Sequence, residues 1–196
     1  LSTIASTKFN LTEENIFGTL NFTNKWILFQ GGYNYKFFKD DNTIKSIYSW
    51  ILSQPIKIRN FNVQFGYSYN YTDSKDVLFV YDSQGLGVYD PYFTPKEQKV
   101  HEGIFLINYK PTKKLSLEAK VNYGFYATLR NPYRIQISAT EYEIGGFYDD
   151  TFTPVAVTGD INYSFSNRFS AKITYIDQET FFYRRKNTNL GLNFIF

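Results

Sequence analysis

The feature that most constrains the fold of this chain is a two-residue alternation of apolar and polar side chains. In FNVQFGYSYNY, residues 61–71, every odd position is aromatic or aliphatic and every even position is polar or glycine. Comparable alternation recurs in segments 115–125, 155–165 and 169–175. Because successive side chains of a β-strand point to opposite faces, this period predicts strands with one apolar and one polar face. No segment shows a convincing helical period with capping residues.

The alternation predicts about ten strands, each close to the length that a tilted membrane-spanning strand requires. Their predicted spans are 2–10, 15–24, 26–38, 43–53, 60–71, 99–110, 114–127, 154–166, 168–177 and 183–196. Short and long connections alternate, and long external loops are expected near 72–98 and 128–153. We therefore expect an all-β fold: a transmembrane antiparallel up-and-down β-barrel of about ten strands, with residues 1–196 as a single domain, or a part of a larger barrel.

Alternation alone does not say whether the apolar faces point into the fold or out of it. A lipocalin-like soluble barrel has the same period with an apolar interior, and two packed sheets would also bury the aromatic residues. Each strand carries about four to six large apolar residues, which is more than the interior of a small barrel can hold. The opposite face, with Glu118, Lys120, Asp160 and Lys172 among small polar residues, suits a narrow wet lumen. We therefore expect the apolar face to contact lipid.

Composition excludes several classes of function. The chain has no cysteine and one histidine, His101, so a thiolate site and a multi-histidine metal site are impossible within one chain. The net charge of +3 is too small, and the basic residues are too scattered, for nucleic-acid binding. The mean hydropathy is −0.36 and no long apolar run occurs, which excludes membrane-spanning helices. A barrel is not excluded, because its alternating strands average to a neutral hydropathy. We expect no metal, no cofactor and no nucleic-acid partner.

The last ten residues, NTNLGLNFIF, carry the most specific motif. Apolar positions alternate with polar ones and close on a phenylalanine: Leu190, Leu192, Phe194 and Phe196. This segment resembles the C-terminal signature of bacterial outer-membrane proteins, whose last strand is recognised by the barrel-assembly machinery. The resemblance implies that these four residues are the assembly signal and that the protein resides in the outer membrane of a Gram-negative bacterium. A soluble sheet cut within a strand is the alternative.

A second segment, residues 87–125, contains an aromatic loop of the form P-Y-F-x-P (Pro91, Tyr92, Phe93, Pro95), a strand, a short KPTKKLSL turn and a further strand. It is similar to the C-terminal barrels of tetratricopeptide-repeat proteins that export exopolysaccharide, such as those that belong to cellulose-synthase operons. Those barrels are larger and follow helical repeats that this sequence does not contain. The resemblance implies one segment of a polysaccharide-export barrel, with other membrane-complex subunits as partners.

The candidate lumen-lining residues are the polar-face positions of the clearest strands. They are Gln64, Ser68, Asn70, Glu118, Lys120, Asn122, Asp160, Asn162 and Lys172. Their mixed charge argues against a strongly ion-selective pore, because selectivity requires one sign to dominate a ring. About ten strands would enclose a lumen largely filled by side chains, since open channels occur at about sixteen.

The sharpest charge feature is the basic run Arg184, Arg185 and Lys186, at the start of the last predicted strand. Arginine contacts phosphate in a bidentate manner, so the run is a candidate contact with lipopolysaccharide, and ordinary rim charge is the alternative. We expect outer-membrane lipid as a partner in either case.

These observations favour a non-enzymatic barrel for transport or export, or a segment of one, with polysaccharide as the substrate class that the resemblance implies. The competing hypothesis is a non-conducting structural or partner-binding barrel with functional external loops. A third hypothesis is a barrel hydrolase in which His101, next to Glu102, activates a nucleophile or a water.

Overall fold

The computed structural model describes residues 12–181 and 184–195. Within these residues the chain forms strands, turns and loops, without a helix. The strands are β1 (Glu13–Thr23), β2 (Ile27–Phe38), β3 (Thr43–Ser53), β4 (Ile56–Ile58), β5 (Phe61–Ser74), β6 (Phe79–Tyr81), β7 (Gly87–Tyr89), β8 (Lys96–Tyr109), β9 (Leu115–Gln136), β10 (Tyr142–Phe152), β11 (Val155–Ser166), β12 (Phe169–Glu179) and β13 (Arg184–Phe194).

Eleven of these strands form one antiparallel sheet, and β6 and β7 form a separate hairpin. The sheet follows the chain as an up-and-down meander in the order β1-β2-β3-β5-β8-β9-β11-β12-β13. The short strand β4 pairs with the part of β5 that β3 leaves free, so it continues the position of β3 in the sheet. In the same way β10 pairs with the part of β9 that β11 leaves free, and it continues the position of β11. The prediction of an all-β antiparallel up-and-down fold is confirmed.

Side-chain oxygens at the tight turns explain where several strands begin. Asn24 Oδ1 accepts hydrogen bonds from the backbone N–H groups of Trp26 (2.8 Å) and Ile27 (3.0 Å). Ser166 Oγ accepts hydrogen bonds from the backbone N–H groups of Arg168 (3.2 Å) and of Phe169 (3.1 Å), the first residue of β12. Asn and Ser favour turns because they satisfy backbone donors that the strand ladder leaves free.

The connections define two ends of the sheet. The turn end carries the short connections 24–26, 59–60, 110–114 and 167–168, and the loop end carries 39–42, 75–95 and 137–141. The predicted loop 128–153 is instead mostly strand: β9 runs on to Gln136, and β10 returns alongside it. The sequence pattern failed there because both faces of this extension carry polar and aromatic residues.

Two further points concern the edges of the sheet. The predicted strand 2–10 lies outside the described residues, as does Phe196. The described sheet is open, because its edge strands β1 and β13 do not pair with each other. Both edge strands run from the loop end to the turn end.

The register sorts side chains into two faces, because directly opposed residues on antiparallel neighbours share a face. On the apolar face Phe65 opposes Phe105, which in turn opposes Val121. Many large side chains of this face are exposed in the described chain; Phe65 is 53 % exposed and Ile161 47 %. The polar face lies on the other side, with Ser68 opposing Glu102.

Buried residues concentrate at the loop end. The set comprises Asn42, Ile44, Asp73, Ser74, Tyr92, Thr94, Ala127, Leu129 and Asn131, whereas Ser68 and Ile104 are buried farther down the polar face. The packed core of this molecule is therefore a small cluster where loop 75–95 meets the strand ends, and the middle of the sheet is a single layer.

Substitution of two strand glycines tests how tightly the sheet is packed. A Cβ at Gly66 would overlap with the Ile51 carbonyl oxygen and the Leu52 side chain, whereas a Cβ at Gly159 would meet nothing within 4 Å. We expect Gly66→Ala to lower the free energy of unfolding by about 1–3 kcal/mol, because a backbone neighbour must move. Gly159→Ala is the matched control and should leave it within about 0.5 kcal/mol. Urea titration of protein refolded in detergent measures both, and equal values would contradict the packing described here.

Candidate functional site

The polar face of the sheet curves around a cleft near the loop end. This cleft has a volume of about 190 Å³ and is lined by Asn70 on β5, Glu102 on β8, Ala156 on β11 and Gln178 on β12, among others. β5 and β12 lie four strand positions apart in the sheet. In a flat sheet four positions span about 19 Å. Their contribution to one small cleft therefore shows that the polar face is concave.

Glu102 is the centre of a hydrogen-bond network in this cleft. Its Oε2 accepts a hydrogen bond from Ser68 Oγ at 2.8 Å and a longer one from Asn122 Nδ2 at 3.4 Å. Ser68 is buried and Asn122 is half-buried. They lie on β5 and β9, the two neighbours of β8, so neutral donors hold the carboxylate from both sides. The arrangement fixes an acceptor that faces the concave side of the sheet.

The nine predicted lumen-lining residues all fall on this polar face according to the strand register. Several are engaged in local contacts rather than projecting freely. Lys172 pairs with Asp160 at 3.1 Å, and Thr174 Oγ1 donates to the same carboxylate at 2.5 Å. Glu118 Oε2 accepts from Asn108 at 3.3 Å. On this wall Asp160 is thus paired with a cation, whereas Glu118 and Glu102 are held by neutral donors.

Sequence reasoning missed the aromatic residues of the polar face, because it assigned aromatic residues to the apolar face. Tyr48 and Trp50 on β3 oppose Asn70 and Ser68, which places both rings on the polar side. Trp50 Nε1 donates to Gln30 at 2.8 Å. The signal was present in SIYSWIL, where Ile47, Ile51, Tyr48 and Trp50 fill both faces.

His101 lies on the opposite face from Glu102. Its Nδ1 is 2.7 Å from Tyr67 Oη, and its ring centroid lies 4.8 Å from that of Tyr69 and 5.4 Å from that of Tyr126. These neighbours are aromatic residues of the exposed apolar face. The two residues are adjacent in sequence and separated by the sheet, which removes the pairing on which the hydrolase hypothesis depended.

At the loop end, Asn42 fastens loop 75–95 to the turn between β2 and β3. Its Nδ2 donates to the Asp76 carbonyl at 3.0 Å, and its Oδ1 accepts from the Asp76 and Thr43 N–H groups at 2.9 and 2.8 Å. The side chain is 1 % exposed. One buried amide therefore satisfies both backbone groups of Asp76, which makes this attachment specific.

Tyr92, from the aromatic loop motif, is the second anchor of this loop. Its ring stacks on Phe38 of the polar face at a centroid distance of 4.2 Å, and its hydroxyl donates to the Asp40 carboxylate at 2.9 and 3.0 Å. Burial raises the pKa of Tyr92 well above its ordinary value, and the hydrogen bond to Asp40 raises it further. Burial also raises the pKa of Tyr89 in the same loop to about 12.

The loop continues across to the β9–β10 extension on the other side of the concave face. Tyr81 Oη donates to the Pro132 carbonyl at 3.2 Å, and Arg134 donates to the Gly85 carbonyl. The side chain of Leu129, on the same extension, is fully buried. Loop 75–95 thus bridges from β2 to β9 and covers part of the polar face at its loop end.

The basic run does not form one continuous cationic patch. Arg184 makes a bidentate ion pair with Asp177, at 2.9 and 3.0 Å, and Lys186 lies 3.7 Å from the same carboxylate. Arg185 falls on the polar face, because it opposes Gln178. Leu190, Leu192 and Phe194 of the same strand are exposed on the apolar face.

In comparisons with known proteins, the sequence matches no family model and no curated protein. In the described part of the chain no helix is long and apolar enough to cross a membrane. Over the same residues, no three His, Cys, Asp or Glu side chains are grouped closely enough to hold a metal ion.

Ionisation of Tyr92 should release loop 75–95 at high pH. Since the folded pKa is raised above the unfolded value of about 10, the stabilisation is complete below that pH and is lost as pH rises through the folded pKa. We expect the difference in 295-nm absorbance between the wild-type chain and Tyr92→Phe to titrate at a higher pH than the exposed tyrosines. A difference signal with a midpoint near pH 10 would contradict this anchor.

Proposed function

We propose that this chain forms the wall of an outer-membrane β-barrel, with its apolar face against lipid and its polar face lining a transport or export path. The observation that carries the proposal is an apolar face that runs across the nine long strands of the sheet and carries many exposed large side chains, opposite a face that is mainly polar on β5, β9, β11, β12 and β13. A soluble sheet buries its apolar face, whereas a barrel in a bilayer exposes it.

The distribution of aromatic residues supports this orientation. Stacked or tilted pairs lie on the apolar face near the turn end, such as Phe61 with Tyr109 (4.2 Å) and Phe169 with Phe194 (4.5 Å). Tyr71 lies at the other end of the same face, ten residues from Phe61 along β5. That separation corresponds to about 26 Å along the normal for a strand tilted by about 40°, which matches the apolar band of outer-membrane barrels.

Ion pairs on the apolar side lie beyond the tyrosines at the loop end. Lys45 pairs with Asp73 at 3.1 Å, and Arg184 pairs with Asp177. Charges at this level are positioned for the headgroup region, and lipopolysaccharide is the anionic lipid that Arg184 and Lys186 would contact. The exposed Leu190, Leu192 and Phe194 remain our proposed signal for the barrel-assembly machinery.

The direction of the edge strands determines what the proposed barrel needs in order to close. β1 and β13 are parallel, so direct pairing between them would depart from an antiparallel barrel. An odd number of additional antiparallel strands restores the alternation, and each edge needs a partner because unpaired backbone groups are costly in lipid. The wall is therefore compatible with a barrel of ten strands and with a larger barrel shared with other membrane-complex subunits.

Adjacent residues on opposite faces allow a direct test of membrane orientation. The chain has no cysteine, so a fluorophore can be placed at Ile161→Cys or at Asn162→Cys alone. In liposomes we expect the label at position 161 to be quenched by nitroxide-labelled lipid and the label at 162 by aqueous iodide. Quenching of both labels by iodide alone would contradict insertion, and the reverse pattern would invert the orientation.

The polar path supports transport, and the covered loop end supports the second candidate, a partner-binding barrel. Export of polysaccharide is the form of transport that the sequence resemblance favours. The local pairing of charges on the polar face, as in Asp160 with Lys172, suits passage of an uncharged solute better than of a simple ion. The two candidates differ in whether solute crosses the lumen.

Conductance across a planar bilayer separates these candidates. We expect the refolded protein to show a small steady conductance, and replacement of residues 77–93 by a short Gly-Ser linker to increase it, because loop 75–95 covers part of the polar face. Gly103→Ala, at a position with nothing within 4 Å, is the control and should leave the current unchanged. Proper folding with no current in either protein would favour the binding barrel.

A further inference from the structure

The polar face divides into two halves of different chemistry. On β8, β9, β11, β12 and β13 it carries the charged residues Glu102, Glu118, Lys120, Asp160, Lys172 and Arg185. On β1, β2 and β3 the described polar face carries one charged pair, Glu13 with Lys36 at 3.0 Å, close to the loop end. Between that pair and the turn end, the polar face of β1–β3 carries no charged side chain in the described residues.

Tyr48 and Trp50 of β3 lie on this uncharged half, as does Phe17 of β1, which opposes Asn34. A Cβ at Gly32 would overlap with the Tyr48 ring, so the ring lies over that glycine of the neighbouring strand β2. The Trp50 indole reaches toward β2 as well, where its N–H is held by Gln30. Both rings therefore lie along the wall, and both are half-buried, which leaves part of each accessible from the concave side.

Hydrogen-bonding groups surround the rings in the same rows of the sheet. Trp50 stands between Gln30 and Ser68, and the row continues to the Glu102 carboxylate. Asn34 Oδ1 is buried and accepts no hydrogen bond from the described residues. The wall thus offers amide and carboxylate acceptors at fixed positions beside two flat apolar surfaces.

We propose that this half of the polar face binds a neutral oligosaccharide, with Trp50 and Tyr48 as stacking platforms. The apolar C–H face of a pyranose ring packs on an aromatic ring, while its hydroxyls donate to amide and carboxylate oxygens. A simple cation would gain only a cation–π contact with each ring, whereas a pyranose covers the ring with its C–H face. An anionic glycan would meet Glu102, and Lys36, the cation on this half of the described face, is already paired with Glu13. The inference rests on the proposed lumen and specifies the substrate class that the lumen accepts.

The chain's own tryptophans provide the probe. It contains two, Trp26 and Trp50, and Trp26 lies exposed in a turn at the turn end. In Trp26→Phe, Trp50 is therefore the sole tryptophan. We expect maltohexaose or cellohexaose to change its emission in a saturable manner in liposome-reconstituted protein, and an oligogalacturonate of equal length to leave it unchanged.

Two variants make the assignment specific. Trp50→Phe, which keeps Trp26 as the reporter, should show no response to either sugar. Tyr48→Ala in the Trp26→Phe background should weaken binding of the neutral hexasaccharide by about tenfold or more, since one stacking platform is lost. Tyr48→Phe, which keeps the ring, should weaken it much less.

The outcomes separate this inference from the proposed function. Conductance and lipid-facing labelling with no response of Trp50 to the neutral sugars would overturn the oligosaccharide site and leave the barrel intact. An equal response to the anionic glycan would also overturn it. A Trp50 response in protein that neither inserts nor conducts would support the site and overturn the transport barrel.

Discussion

The register in which neighbouring strands pair is the constraint on which the rest of this structure depends. Each pairing satisfies backbone hydrogen bonds and at the same time assigns every side chain to a face, so a slip by one residue would exchange the two faces. Phe65, Phe105 and Val121 share one face only because their strands keep this register. The exposed apolar surface, the charged network and the aromatic platforms are all consequences of the same ladder.

The second determinant is the packed cluster at the loop end. A single-layer sheet has little side-chain packing of its own, and here the buried residues lie where loop 75–95 closes over the strand ends. Asn42 and Tyr92 anchor this loop in different ways. The side-chain amide of Asn42 binds the backbone of Asp76. The ring of Tyr92 stacks on Phe38, and its hydroxyl donates to Asp40. Backbone ladder and loop cluster thus share the stabilisation that a central core provides in a soluble domain.

Much of the fold was predictable because it depends on local period. The strand spans 26–38 and 43–53 agree with β2 and β3 to within a residue, since turn residues mark their ends. The β9–β10 extension was not predictable in this way: tertiary contacts with loop 75–95, such as Tyr81 with Pro132, cover a segment whose sequence is typical of a loop. Trp50 was missed for a related reason, because an aromatic residue on a polar face violates the rule used to assign faces.

Residues of the candidate site differ in the same respect. Gln64 and Asn70 were placed on the polar face by alternation alone, whereas the importance of Glu102 depends on Ser68 and Asn122, which come from other strands. The two-residue alternation assigns a side chain to a face of the sheet, but it does not say which side chains of other strands that side chain contacts. The strand order fixes partners, and it gathers the charges on the later strands while the earlier strands keep amides and rings. In the path that we propose, such a wall would bind simple ions weakly, because charges of both signs lie on its later strands and few charges lie on its earlier ones. Stacking and hydroxyl recognition would then be the sources of selectivity.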